Sequence, residues 1–140
     1  MVRRALYEID TANQVLPLVR SIVRDVVEEF QCLREAGREQ RALEAQPITD
    51  PGERRRLRRL KADVGDASAR IESYLRELED MGIELRDLES GLVDFPTIVN
   101  GEPAYYCWKP GDEDIRWWHA ATQGFADRRP VAHGSPARST

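Results

Sequence analysis

The chain has 140 residues, of which 33% are charged and 41% apolar, with a formal net charge of −4 and a pI of about 5.3. That length suits one domain with a real core, no apolar run approaches the ~20 residues of a membrane span, and the charged residues 1–10 lack the apolar length of a signal peptide. The acidic balance argues against a dedicated nucleic-acid binder, and two distant cysteines, Cys32 and Cys107, are too few for a disulfide framework, so reduced thiols in a cytoplasm are expected.

Residues 1–10, with Ala5, Leu6, Tyr7 and Ile9, read as a short extended lead-in. A helix is expected over about 11–45, capped by Thr11, with Ala12, Leu16, Val19, Val23, Val26, Phe30 and Leu33 forming one seam. A second apolar line, Val15, Leu18 and Ile22, widens the buried face of its first half. Pro17 removes one backbone bond and should kink the helix, and Gly37 weakens its far half.

A second long helix is expected over 50–82. Asp50 can cap it, Pro51 fits the first helical position, Glu53 sits where a capping carboxylate reaches back, and Gly82 supplies the stop. Its seam is Leu57, Leu60, Val64, Ala67, Ile71, Tyr74, Leu78 and Met81. The short link around Pro47 makes the two helices antiparallel neighbours, each about 50 Å long. Residues 31–61 hold nine basic and five acidic groups, net +4, while residues 62–94 hold three basic and ten acidic, net −7. The basic run 54–61 therefore marks a positive tip, partly neutralised by Glu35, Glu39 and Glu44, and reads as a solvated face rather than a phosphate site.

After Gly82 the apolar period falls to two. Residues 83–88 can form a strand, and Asn100-Gly101 between two apolar runs is a strong two-residue hairpin signal. Such a turn places Val93 opposite Trp108, Phe95 opposite Tyr106 and Thr97 opposite Ala104 on one apolar face that packs on the helices. The other face pairs Asp94 with Cys107 and Pro96 with Tyr105. Pro96 and Pro103 imply imperfect or edge pairing. Residues 115–119 could return as another strand, Gly124-Phe125 begins a closing loop, and residues 127–140, including His133, read as a flexible tail beyond a single domain at 1–126.

With Gly91-Leu92-Val93-Asp94-Phe95-Pro96, Cys107-Trp108, Trp118-His119 and Gly124-Phe125-Ala126 in view, the chain resembles the uncharacterised bacterial proteins grouped as domain of unknown function 2203. Thr11-Ala12-Asn13 followed by Leu16-Pro17 fits as well, so the likeness covers about residues 5–130. Where relatives often carry a glycine before the arginine after Gly-Phe-Ala, this chain has Asp127 before Arg128. The resemblance implies a bacterial cytosolic protein and brings no established activity.

The fold expected is α+β: a long antiparallel coiled-coil helical hairpin with a small antiparallel β-sheet at its open end. The chemistry-bearing residues gather in its β-region, and the candidate pocket is Asp94, Cys107, Glu113, Trp118, His119 and Arg128. One Cys and one His match no zinc spacing pattern, and a Cys–His nucleophile would need both side chains on one sheet face. The plainer reading makes Cys107 a small core residue and His119 a hydrogen-bonded histidine beside Trp118. The directly opposed Asp94 disfavours a Cys107 thiolate unless a cation sits between them. The aromatic group Tyr105, Tyr106, Trp108, Trp117 and Trp118 lacks interleaved basic residues, so it is no nucleic-acid platform. No cofactor is predicted and no nucleotide-binding glycine signature is present. Two functions are weighed: first a non-enzymatic interaction or assembly protein, homodimeric or with a protein partner, acting through its hairpin; and as the alternative a small-ligand or metal-binding protein, an enzyme included, with a pocket around Asp94, Cys107 and His119.

Overall fold

The structure is a computed structural model and describes residues 6–132; Ala5 and His133 lie outside that range. Two helices dominate it, α1 (Ile9–Glu44) and α2 (Pro51–Asp80). They run antiparallel, with Glu44 meeting Lys61 and Glu29 meeting Arg70. The seam residues Ala12, Leu16, Val19, Val23 and Val26 of α1 are buried, as are Leu60, Ala67, Ile71 and Leu78 of α2.

The ends of α2 follow from local chemistry. Asp50 Oδ2 accepts the Glu53 amide at 3.1 Å, satisfying one orphan donor of the first turn. At the other end Gly82 takes φ 76°, a conformation costly for residues with a Cβ. Its amide reaches Glu79 O and that of Ile83 reaches Leu78 O, while Ile83 and Leu78 bury their side chains in the same core. The start of α1 differs from expectation. Thr11 lies inside the helix, which begins at Ile9 beyond Glu8 with no side-chain cap. Burial of Ile9 and tethering of the lead-in explain the early start: Tyr7 N donates to Pro96 O at 2.8 Å, and Thr97 Oγ1 donates to Tyr7 O at 2.6 Å. Gly37 does not end α1, which continues to Glu44.

Five strands form one antiparallel meander in chain order: β1 (Glu84–Asp87), β2 (Leu92–Val99), β3 (Glu102–Trp108), β4 (Trp117–Ala120) and β5 (Arg129–Pro130). Asn100 and Gly101 take φ 53° and 79°, the two left-handed residues of a tight hairpin turn. The β2–β3 register is the one the turn dictates, from Val93 opposite Trp108 to Val99 opposite Glu102. Val93, Phe95, Thr97, Ala104, Tyr106 and Trp108 are all buried, and Val93, Phe95, Tyr106 and Trp108 share one core with Leu16, Val19, Val23 and Leu78. The architecture is thus α+β.

Two differences bear on the site. The segment expected to be a tail from Asp127 instead continues through a 3-10 turn (Phe125–Asp127) into β5, which pairs with Trp117 and Trp118. The chain can return there because Val131 N donates to Arg116 O at 2.7 Å. The line Val15, Leu18, Ile22 is also split: Ile22 is buried and Val15 packs on the core, whereas Leu18 is 55% exposed.

Candidate metal centre

Strand alternation decides which side chains meet on the sheet face turned away from the helices. Asp94 faces Cys107 across β2–β3, Cys107 faces Trp117 across β3–β4, and Tyr105 faces His119 one step along. Asp94, Cys107 and His119 therefore rise from three adjacent strands on one face. All three are buried, and one donor atom from each lies within 4.8 Å of the other two.

Hydrogen bonding fixes how they present those atoms. His119 Nδ1 lies 2.8 Å from Ala120 O; a carbonyl only accepts, so Nδ1 carries the proton. In the neutral ring Nε2 then holds a lone pair, and it faces Asp94 Oδ1 at 3.3 Å. Two acceptors so placed need a proton or a cation between them. The other Asp94 oxygen is spoken for, since Arg86 Nε donates to Oδ2 at 2.8 Å. Arg86 also pairs with Glu84 at 3.0 Å and lies 4.9 Å over the Tyr105 ring. A register shift between Leu85 and Asp87 takes Arg86 out of the strand ladder.

The thiol is quiet by itself. Burial pushes Cys107 up to about 11; the Asp94 carboxylate adds to that rise, and the nearby Arg128 guanidinium opposes it without prevailing. At neutral pH Cys107 is thus a protonated, enclosed thiol, and Nε2 of His119 is paired with Asp94 rather than with the sulfur. The arrangement suits metal ligation better than nucleophilic attack.

Of the residues singled out in the sequence, the structure brings Asp94, Cys107, His119 and Arg128 together and places two elsewhere. Glu113 is a surface residue whose side chain is 87% exposed and pairs with Arg116. Trp118 points to the other face of β4, where it packs on the helix-side core under Arg129. Adjacent strand residues point to opposite faces, so Trp118 and His119 cannot share one. Sequence reasoning missed Arg86 and also Asp112, whose Oδ2 lies 3.6 Å from Arg128 Nη1. Alternation along 84–86 opposite Asp94 was the available signal for Arg86, but the bulge that frees it has none.

No helix among the described residues is long and apolar enough to cross a membrane. Comparison with curated proteins and with solved structures returned no match. The chain does match the family model described as "Uncharacterized conserved protein (DUF2203)" over residues 5–131, which takes in both helices and every strand up to Val131, and it belongs to that family.

Proposed function

We propose that this protein binds a divalent transition-metal ion, zinc being the best fit, through Asp94 Oδ1, Cys107 Sγ and His119 Nε2. The observation that carries this reading is the placing of His119, with Nδ1 against the Ala120 carbonyl and Nε2 3.3 Å from a carboxylate oxygen of Asp94 beside a buried cysteine. Two nitrogen or oxygen ligands on a tetrahedral zinc ion, each at about 2.0–2.1 Å, stand about 3.3 Å apart. The three donor atoms all lie within 4.8 Å of one another, and an ion would draw the widest-spaced pair closer. Sulfur, imidazole and carboxylate together favour a borderline-soft ion over calcium or magnesium. The supports expected around such ligands are present: a backbone carbonyl holds the far side of His119, and Arg86 holds the far oxygen of Asp94. Three protein ligands leave a fourth tetrahedral position for water or a small ligand.

Calorimetric titration of chelator-treated protein with zinc tests this. Uptake should saturate at one ion per chain, raise the melting temperature by mass action, and vanish in Cys107→Ser and His119→Ala. If wild-type protein takes up no zinc, the gap at His119 is filled by a proton, and the trio is a buried ion pair beside a packing cysteine.

A second reading, self-association through the hairpin, has its own support. Beyond Val26 no residue of α1 is fully buried, and Leu33 and Val64 line an open groove of about 410 Å³ with Arg34, Arg38 and Arg41. A second copy, laid antiparallel, would cover this groove and bring the positive tip against the acidic half of α2. The two readings are compatible, since the groove and the metal ligands lie on different elements.

A further inference from the structure

Arg128 is held unlike any other arginine of the described chain. Its guanidinium lies 4.0 Å from the Phe125 ring centroid and 4.6 Å from that of Trp117, and Nη1 is 3.6 Å from Asp112 Oδ2. Nη1 is nevertheless fully buried with no hydrogen-bond acceptor. A buried N–H left without an acceptor is costly, the more so on a charged group. Arg128 lies over Trp117, the β4 residue paired with Cys107, and that makes the Cys107 sulfur the neighbour able to cure this. A neutral thiol is a weak acceptor, whereas a metal-bound sulfur is a thiolate and a good one.

We propose that Arg128 is the positioning residue of the metal site, donating from Nη1 to the metal-bound Cys107 sulfur, and that this bond makes metal occupancy lock residues 124–131 onto the sheet. The inference rests on the metal reading above. On coordination the Cys107 proton leaves to solvent, so the dication meets two anionic ligands and one neutral one. Each anionic ligand then has its own arginine, Arg86 on Asp94 and Arg128 on Cys107, and each arginine a further carboxylate, Glu84 and Asp112. Charge balances around the ion with no group left over.

The segment is built to be controlled this way. No residue of the 3-10 turn is buried, and β5 contributes only Arg129 and Pro130 to the sheet. Val131 anchors its end, through its amide to Arg116 O at 2.7 Å and its side chain on the helix-side core. Its remaining side-chain bonds are peripheral: Arg129 Nη2 reaches Gln123 at 3.3 Å, and Gly124 N reaches Asp127 Oδ2 at 3.5 Å. Arg128 is its link to the face that carries Cys107. By linkage, what the bond adds to docking of the segment it adds equally to metal affinity.

Cobalt(II) added to the metal-depleted full chain gives a direct readout through the thiolate-to-cobalt absorption band. In wild type, cobalt should bring up the band and slow amide hydrogen exchange across 124–131. Arg128→Gln should weaken cobalt affinity about 10–100-fold, as loss of an outer hydrogen bond to a ligand does. It should also move the band to lower energy and leave exchange in 124–131 indifferent to metal. Arg128→Lys, which keeps the charge, should fall between, and Arg129→Gln, on the opposite face, should match wild type. A wild-type protein without the cobalt band overturns both the metal reading and this one. Wild-type binding that Arg128→Gln and Arg128→Lys reproduce in affinity and band energy overturns this inference alone, as does metal-independent exchange of 124–131 in wild type.

Discussion

At the scale of single residues, Cys107 sets two expectations. In metal-depleted protein its burial and raised pKa should make alkylation at neutral pH slow, about tenfold or more slower than in the unfolded chain, with exposed Cys32 replaced to remove its background. Because the folded thiol titrates near 11, above its ordinary 9.0, its protonated form contributes stability that is fully present below pH 9 and lost as pH rises through about 11. Alkaline denaturation of the metal-depleted protein should therefore lose its steepness between those values in Cys107→Ala. Gly91 sets a third expectation. It has φ 82°, and an added Cβ would lie 2.7 Å from Val23 Cγ1 and 3.0 Å from Pro110 Cγ, with Val23 itself fully buried. Gly91→Ala should destabilise by about 2 kcal/mol or more, read from urea midpoints, since the left-handed backbone and the overpacking add. At this scale the sequence was legible where alternation and a two-residue turn act alone. Asn100-Gly101 placed Asp94 opposite Cys107 before any coordinates. His119 and Arg128 were named beside them, but their convergence was not legible: residues 109–116 leave the β4 register open, and the composition around Arg128 reads as a tail.

Among the elements, two polar side chains tie α1 to the loop before β4. Asn13 donates to Ile115 O at 3.3 Å and accepts the Ile115 amide at 2.8 Å, while Arg20 donates to Glu113 O at 2.9 Å and stacks over Trp108. These bonds fix the loop that delivers β4, and so His119, to the site. Asn13→Ala should cost about 1–3 kcal/mol in equilibrium unfolding, since it strands a partly buried amide and carbonyl. It should also weaken zinc binding without touching a ligand; unchanged zinc affinity in a folded Asn13→Ala protein would remove the loop from the account of the site. The helix boundaries show where sequence signals compete. Asp50 and Gly82 are local devices and did as their chemistry dictates, whereas Thr11 lost its capping role because burial of Ile9 and the Tyr7 tether to β2 outweigh a cap.

Across the whole molecule the two faces of one sheet divide the labour. The inner face buries Val93, Phe95, Tyr106 and Trp108 against α1 and supplies the core; the outer face carries Asp94, Cys107 and His119. The strands that fix the ligands are thereby braced by the most tightly packed part of the protein, which is what a site held to fractions of an ångström requires. The hairpin beyond Val26 contributes nothing to that site, and its thin cover and segregated charge suit contact with a second copy. Light scattering at micromolar concentration should report a dimer that survives moderate salt; a monomer there would leave the groove between Leu33 and Val64 as a solvated seam.

The most direct test of the central claim is X-ray absorption at the metal edge of zinc-loaded protein. The account requires one sulfur at about 2.3 Å and the remaining nitrogen and oxygen ligands at about 2.0–2.2 Å, and no bound zinc in Cys107→Ala. A zinc shell of nitrogen and oxygen alone in the wild-type protein, or one indifferent to Cys107, would contradict it.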